Sequence, residues 1–370
     1  MNRRSWMAGT LAMCALALSG AVPAQQGLKT GKIGVIVQLS GVSADFGVGV
    51  QHAIEIAKQE LSDNRIINLE VFYEDHQQQA QLALVGFEKL VDRNDVTAVI
   101  ANASPVILAL APVAEERKRL VYNFAGVSPK LRSLNKWVIN GAALSDRDGT
   151  ELAQYMVKRL GLKTAAVIHV DDQFGTSVAE FFQDAYKEAG GKIVDVESNP
   201  VGALDLRTQL LKIKSANPEA LVILNNIPEE GYTVAQAREI GLTAKIFSNT
   251  FMMDPQNVKA AGSAINGVRG MSLQFDPERS PLAREFSAKF TKRAGRPPAV
   301  TDVLAYDGAR LVGEAMQKVG NDPRAVRDYI VTVKDWPGAI GKINFDSGGN
   351  MLLEMSQYEF VNGKPVFRNP

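Results

Sequence analysis

The side chains best equipped for proton transfer are two adjacent carboxylate pairs, Asp171-Asp172 and Glu229-Glu230, and three histidines, His52, His76 and His169. The histidines lack the close spacing that metal ligands show, so each reads as a helix-face or turn residue. Both carboxylate pairs fall in turn-rich segments and are expected to be exposed loop acids. Gly47-Val48-Gly49-Val50-Gln51-His52 starts like a dinucleotide fingerprint but ends in histidine where the motif needs a small residue. It also begins several residues past the end of the nearest strand. Gly175-Thr176-Ser177-Val178-Ala179 lacks the closing glycine of a nucleophile elbow. The single cysteine, Cys14, lies in the N-terminal leader. No catalytic set, metal site or cofactor is expected, and the chain does not read as an enzyme.

Non-covalent binding is the chemistry the remaining polar residues support. Turns rich in Gly, Ser, Asn and Asp cover 38–46, 101–104, 124–128, 171–174, 225–229 and 249–252. Each follows a short apolar run, and two lead directly into helices, at Ala44 and Ser104. A helix N-terminus offers unpaired backbone N–H groups and a positive potential, which suits a carboxylate.

The elements that hold these turns alternate along the chain. Apolar runs at 32–39, 69–73, 96–101, 120–124, 165–170, 192–196, 220–224 and 245–248 read as strands. Amphipathic segments at 44–61, 79–92, 105–118, 177–189, 206–215 and 230–240 read as the helices between them. Later helices are expected at 281–294, 301–319 and 323–333, with a strand-like tail at 356–361. Strands buried between helices imply an α/β fold with parallel sheets and right-handed crossovers. In such sheets the ligand sits beyond the carboxyl ends of the strands, where all six turns gather.

The N-terminus carries a different signal. Met1-Asn2-Arg3-Arg4 is basic, 6–18 is almost wholly apolar, and Val22-Pro23-Ala24 supplies small residues. This order reads as a secretory signal peptide over 1–24, cleaved near Ala24, with the export route (general or twin-arginine) left open. The apolar stretch is shorter than the roughly 20 residues of a membrane-spanning helix. Of the 41 basic residues only Arg3 and Arg4 fall in the leader, leaving 39 against 40 acidic ones, a net charge of −1. Without a basic excess nucleic acid is not an expected partner. A soluble monomer in the periplasm is expected.

Several motifs together resemble the branched-chain amino acid (Leu/Ile/Val)-binding family of periplasmic binding proteins, the ligand receptors of ABC importers. They are Ile33-Gly34-Val35-Ile36-Val37-Gln38-Leu39-Ser40-Gly41, Ala44-Asp45-Phe46-Gly47 and Asp172-Gln173-Phe174-Gly175. Ala261-Gly262, Gly267-Val268 and Ala305-Tyr306-Asp307-Gly308-Ala309 follow, then Gly341-Lys342-Ile343-Asn344-Phe345-Asp346 with Gly349. The resemblance spans about 32–366 and rests on the order and spacing of the pieces. It implies two Rossmann-like lobes joined by three crossover segments near 140–144, 271–275 and 344–347. Lobe 1 would be 28–141 plus 273–345, and lobe 2 would be 142–272 plus 346–370. It further implies hinge closure on a small molecule and delivery to an ABC permease and ATPase complex.

Carried over by position, the family's contacts fall on Phe46, on Asn102, Ala103 and Ser104, and on Ala125, Gly126 and Val127 in lobe 1. In lobe 2 they fall on Phe174, Asn226, Ile227 and Thr250. Phe46 and Phe174 would be core residues were they not in turns past strand ends, each followed by glycine. The family's acidic partner for an ammonium group falls on Thr250, and its usual hydroxyl falls on Val127. The expected ligand is therefore a small organic carboxylate without an α-ammonium group, aromatic or branched and apolar. A branched-chain or other amino acid is the alternative, because Asp171, Asp172, Glu229 or Glu230 could restore the charge. A soluble ligand sensor for a membrane receptor is the second alternative.

Overall fold

The computed structural model describes residues 27–368. The expected leader over 1–24, with Cys14, lies outside the described residues. In chain order the first elements are β1 (Thr30–Val37), α1 (Ala44–Asp63), β2 (Asn68–Asp75), α2 (Ala80–Asp92), β3 (Ala98–Ala101), α3 (Ser104–Arg117), β4 (Leu120–Asn123) and β5 (Val138–Asn140). Their five strands form one parallel sheet in the order β2-β1-β3-β4-β5. β1 lies between β2 and β3, with Ile33 facing Val71 on one side and Ala98 on the other. Its last five residues are all buried, as a central strand covered on both faces requires.

The second sheet begins after α4 (Ser145–Gln154), which runs on into a π-helical turn over Tyr155–Arg159. It is built from β6 (Thr164–Val170), α5 (Gln173–Glu188), β7 (Lys192–Asn199), α6 (Arg207–Ser215), β8 (Ala220–Leu224), α7 (Glu229–Glu239), β9 (Lys245–Ser248), α8 (Pro255–Ala261) and β10 (Arg269–Ser272). The chain then returns to the first sheet. There α9 (Pro281–Ala294) and α10 (Val300–Val319) pack on α1, and α11 (Pro323–Ile330) packs on α10. A short pair, β11 (Trp336–Pro337) and β12 (Lys342–Ile343), follows. The chain crosses once more to place β13 (Ser356–Val361) and β14 (Lys364–Arg368) at the edge of the second sheet. The fold is α/β in two lobes, and the chain passes between the sheets three times.

The second sheet is not wholly parallel. Its order is β14-β13-β10-β9-β8-β6-β7, and β13 runs antiparallel to both β10 and β14. The cause is local. Asn362 and Gly363 both have positive φ, 51° and 73°, so the chain reverses in a two-residue hairpin rather than crossing over.

Apolar side chains from both faces of each sheet fill the interior. In the first lobe Phe286 stacks on Tyr306 with ring centroids 4.2 Å apart. In the second, Tyr358 meets Phe360 edge-on at 5.7 Å. Among the described residues no helix is long and apolar enough to cross a membrane.

Candidate functional site

The carboxyl ends of both sheets face one cleft of about 610 Å³, open in part to solvent. From the first lobe come Gln38 beyond β1, Phe46 in α1, Gln78 beyond β2, the segment 102–106 and Ala125 beyond β4. From the second come Asp172 and Phe174 at the start of α5, Asn226 and Ile227 beyond β8, and Phe251 beyond β9.

Two glycines let the aromatic walls form. A Cβ on Gly47 would lie 1.7 Å from the Gln38 carbonyl oxygen, and one on Gly175 would lie 2.0 Å from that of Val170. Each lobe thus seats the first turn of a helix directly on a strand end and holds the preceding phenylalanine at the cleft. Phe46 stacks near Phe124 at 6.3 Å, while Phe174 meets Phe251 edge-on at 5.4 Å. Phenyl rings therefore face the cleft from both lobes. The Asp172 side chain caps α5 by accepting from the Gly175 N–H at 2.8 Å, so the helix starts at Gln173, earlier than the expected 177.

At the polar end stands the N-terminus of α3. Ala103 is held at φ 68°, a conformation that costs a non-glycine residue about 1 kcal/mol or more. Pro105 has no N–H, and the N–H groups of Ser104 and Val106 meet no acceptor among the described residues. The Ser104 hydroxyl oxygen accepts from the N–H groups of Val127 at 3.2 Å and Ser128 at 3.1 Å. With both lone pairs engaged, its proton is left to donate. Two backbone donors and a hydroxyl at a helix N-terminus are chemically suited to an anionic oxygen.

Gly126 is not brought to the cleft. Its N–H donates to Asn123 Oδ1 at 2.6 Å and its carbonyl accepts from Asn123 Nδ2 at 2.8 Å. Val127 and Thr250 line an adjoining space of about 390 Å³ nearer the crossovers, with Ala142, Ala143, Leu273 and Met355. Ala125 and Phe251 border both spaces. The Thr250 hydroxyl donates to Ser272 Oγ at 2.9 Å. The other expected contacts, Phe46, Asn102, Ala103, Ser104, Ala125, Phe174, Asn226 and Ile227, all line the main cleft. Gln38 and Gln78 join them without having been singled out from the sequence as contacts, and so does Asp172, one of the four acids named as able to restore a charge. Gln38 gave one signal, a polar residue closing an apolar strand.

Acidic groups differ from expectation. Glu229 and Glu230 are fully buried in the first turn of α7, not exposed in a loop, because that turn packs against α8. Burial pushes the Glu229 carboxyl up to about 7, although it accepts from the N–H groups of Gly202 and Asn226. The Ser248 hydroxyl and the Asn225 N–H stand near the Glu230 carboxyl without reaching good hydrogen-bond geometry, and burial raises it well above the usual range. Asp172 is the one acid among the described residues that lines the cleft. Burial raises it too, against hydrogen bonds from Gly175 and Asn226. No arginine or lysine among the described residues lines the cleft. The histidines are dispersed, and no three His, Cys, Asp or Glu side chains among the described residues gather as metal ligands.

Direct contacts link the lobes at the cleft. Ser43 Oγ donates to the Ile227 carbonyl at 2.6 Å, and Ser128 Oγ lies 2.6 Å from Ser177 Oγ. Two α/β lobes closed over a cleft lined by strand ends, with a helix N-terminus at one end and apolar walls, define a two-lobed solute-binding protein. The periplasmic binding protein family model matches residues 30–364, and the chain belongs to that family.

The Leu/Ile/Val-binding protein homolog 1 of Brucella suis is 24% identical over 328 residues, 87% of each chain. A leucine binding protein from Thermotoga maritima superposes with a TM-score of 0.82 at 27% identity, over 92% of this chain and 99% of that one. A solute binding protein of an ABC transporter from R. palustris, solved with benzoate, gives a TM-score of 0.84 at 17% identity, over 91% and 95%. Members of this family are extracytoplasmic, non-enzymatic components of transport.

Proposed function

We propose that this chain is the solute-binding component of an ABC importer and that it carries a small apolar carboxylate lacking an α-ammonium group. Aromatic acids fit the reading best. The observation that carries it is the distribution of polarity in the cleft. One end offers the Ser104 hydroxyl and the α3 N-terminus to an anion, and the walls are Phe46, Phe174, Phe251 and Ile227. An ammonium group taken from water needs a charged or well-aligned polar partner. At the two positions where the family supplies that partner stand Val127, which is apolar, and Thr250, whose proton is donated to Ser272.

A second reading, an amino acid ligand, is favoured by one observation: the Asp172 carboxylate lines the cleft. Against it, one Asp172 oxygen caps α5 and the other accepts from Asn226 at 3.4 Å. Lobes of 28–141 with 273–345 and 142–272 with 346–370, hinge closure, export to the periplasm and docking on a permease and ATPase belong to the same proposal. Calorimetric titration with leucine, isoleucine, valine and phenylalanine beside benzoates, cinnamates and aliphatic 2-oxo acids tests it. Tight binding among the acids and none among the amino acids is expected. Micromolar binding of any amino acid restores the second reading.

A further inference from the structure

One chain of buried side chains fixes which atoms the cleft presents to its ligand. It begins at the Gln78 backbone N–H, which donates to His76 Nδ1 at 3.0 Å. A backbone N–H is always a donor, so Nδ1 carries the lone pair and the ring proton sits on Nε2. Nε2 lies 3.2 Å from Asn102 Oδ1 and donates to it. The Asn102 amide is thereby oriented, and its Nδ2 donates to Gln38 Oε1 at 2.9 Å. Each assignment follows from the one before, and the direction of the last amide is no longer free. His76 is fully buried, Asn102 and Gln38 nearly so. Burial also holds the His76 pKa below its usual value, which keeps the ring neutral and the chain intact near neutral pH.

The consequence falls on Gln38. Its oxygen is consumed, and its NH2 group has no acceptor among the described residues although Gln38 lines the cleft. Water can reach this group in the ligand-free cleft. A ligand that displaces that water without offering an acceptor leaves the amide donor unpaired at a cost in free energy, so the site discriminates against ligands that cannot satisfy it. The carboxylate end already has the Ser104 and Val106 N–H groups and the Ser104 hydroxyl, whereas Gln38 comes from a different strand end. We infer that Gln38 is a specificity-determining residue whose NH2 group selects acids bearing a second oxygen, a hydroxyl, ether or keto oxygen on the apolar body. His76 and Asn102 are positioning residues that act through it. This inference rests on the carboxylate reading and narrows it to oxygenated acids.

The test uses matched acids with and without the second oxygen: benzoate with 3- and 4-hydroxybenzoate, cinnamate with 4-hydroxycinnamate, and 4-methylpentanoate with its 2-oxo derivative. Calorimetry on the wild-type chain should show, in at least one pair, the oxygenated member binding roughly ten-fold more tightly. Gln38→Met, of similar shape without the donor, should abolish that preference, the oxygenated member losing roughly ten-fold more affinity than its parent acid. Gln38→Glu, which turns an acceptor where the donor stood, should reverse it. Parent acids that bind as tightly as their oxygenated partners, or a Gln38→Met chain that weakens both members equally, would overturn the inference while leaving the carboxylate reading in place. Failure of every acid to bind would overturn both. A nitrogen-15 NMR spectrum of His76 in the ligand-free chain gives an independent check. The Nε2–H tautomer is expected near neutral pH, and an Nδ1–H tautomer reverses the chain and sinks the inference whatever the ligand.

Discussion

Ser43 reaches across the cleft from the first lobe, and its hydroxyl donates to the main-chain carbonyl of Ile227 in the second at 2.6 Å. The same oxygen accepts from Gln78 Nε2 at 2.8 Å. Both partners lie in the cleft lining, so the latch and the ligand share one wall. This contact exists only with the lobes together.

Ser43→Ala should therefore weaken binding without unfolding the chain. A neutral hydrogen bond contributes about 1 kcal/mol net, which is roughly a five-fold loss in affinity. In the open form the Ile227 carbonyl is free to meet water, so the loss should appear as faster release of ligand. Stopped-flow dissociation with X-ray scattering checks this. An unchanged release rate, with the ligand-bound scattering radius unaltered, would show that the latch does not help hold the lobes closed.

Ser104→Ala tests the anion end. It removes the donor proposed for the carboxylate and also the acceptor used by the Val127 and Ser128 N–H groups. Ten-fold or greater loss of affinity is expected for every acid, oxygenated or not, with stability lowered by about 1–3 kcal/mol. Thermal melts and titrations on one preparation separate the two effects. Unaltered affinity would place the carboxylate elsewhere.

Much of this arrangement was legible in the sequence because apolar runs and helix periods are local. The strands over Ala220–Leu224 and Lys245–Ser248 and the helix over Pro281–Ala294 have the expected bounds. The strand-end rule also placed Phe46, Ser104 and Phe174 beside one another although they are far apart in the chain. What escaped was short or depended on distant partners. β5 is three residues long, and α8 is only seven, capped by Asp254 with no periodic run to announce it. The role of Gln38 is set by hydrogen bonds from Asn102 and His76, and the withdrawal of Gly126 by the Asn123 side chain. Glu229 and Glu230 read as loop acids because nothing local reveals that α8 covers them.

Gly47→Ala should disturb site and fold together. A Cβ 1.7 Å from the Gln38 carbonyl oxygen is untenable, so the start of α1 must move off the strand end. Phe46 moves with it, and with the carbonyl goes the seat of Gln38. Destabilisation of at least about 2 kcal/mol is expected, with binding reduced well beyond what the melting temperature explains. Gly267→Ala is the control: its φ is 80°, so it too is strained, but no atom lies near the added Cβ and it stands away from the cleft. It should lower stability and spare affinity. Equal effects of both variants on binding would detach Gly47 from the site.

Glu230→Gln gives the pH prediction its sign. A carboxyl whose pKa is raised on folding binds protons more tightly in the folded chain, so its stabilising contribution is full below its unfolded value and lost as pH rises through the folded one. Burial raises Glu230 well above 4.5, and it brings Glu229 and Asp254 up to about 7. The melting temperature should therefore fall as pH increases from about 4.5 to 8. The nearest donors, the Ser248 hydroxyl and the Asn225 N–H, do not reach good hydrogen-bond geometry with Glu230, and the amide oxygen can accept from them as the carboxyl does, so the neutral amide sacrifices little. The variant should melt near the wild type at pH 4.5 and above it at pH 8, with a shallower slope between. Scanning calorimetry across that range decides the matter. A variant that melts below the wild type at pH 8 would mean that the carboxylate is charged and satisfied where it lies.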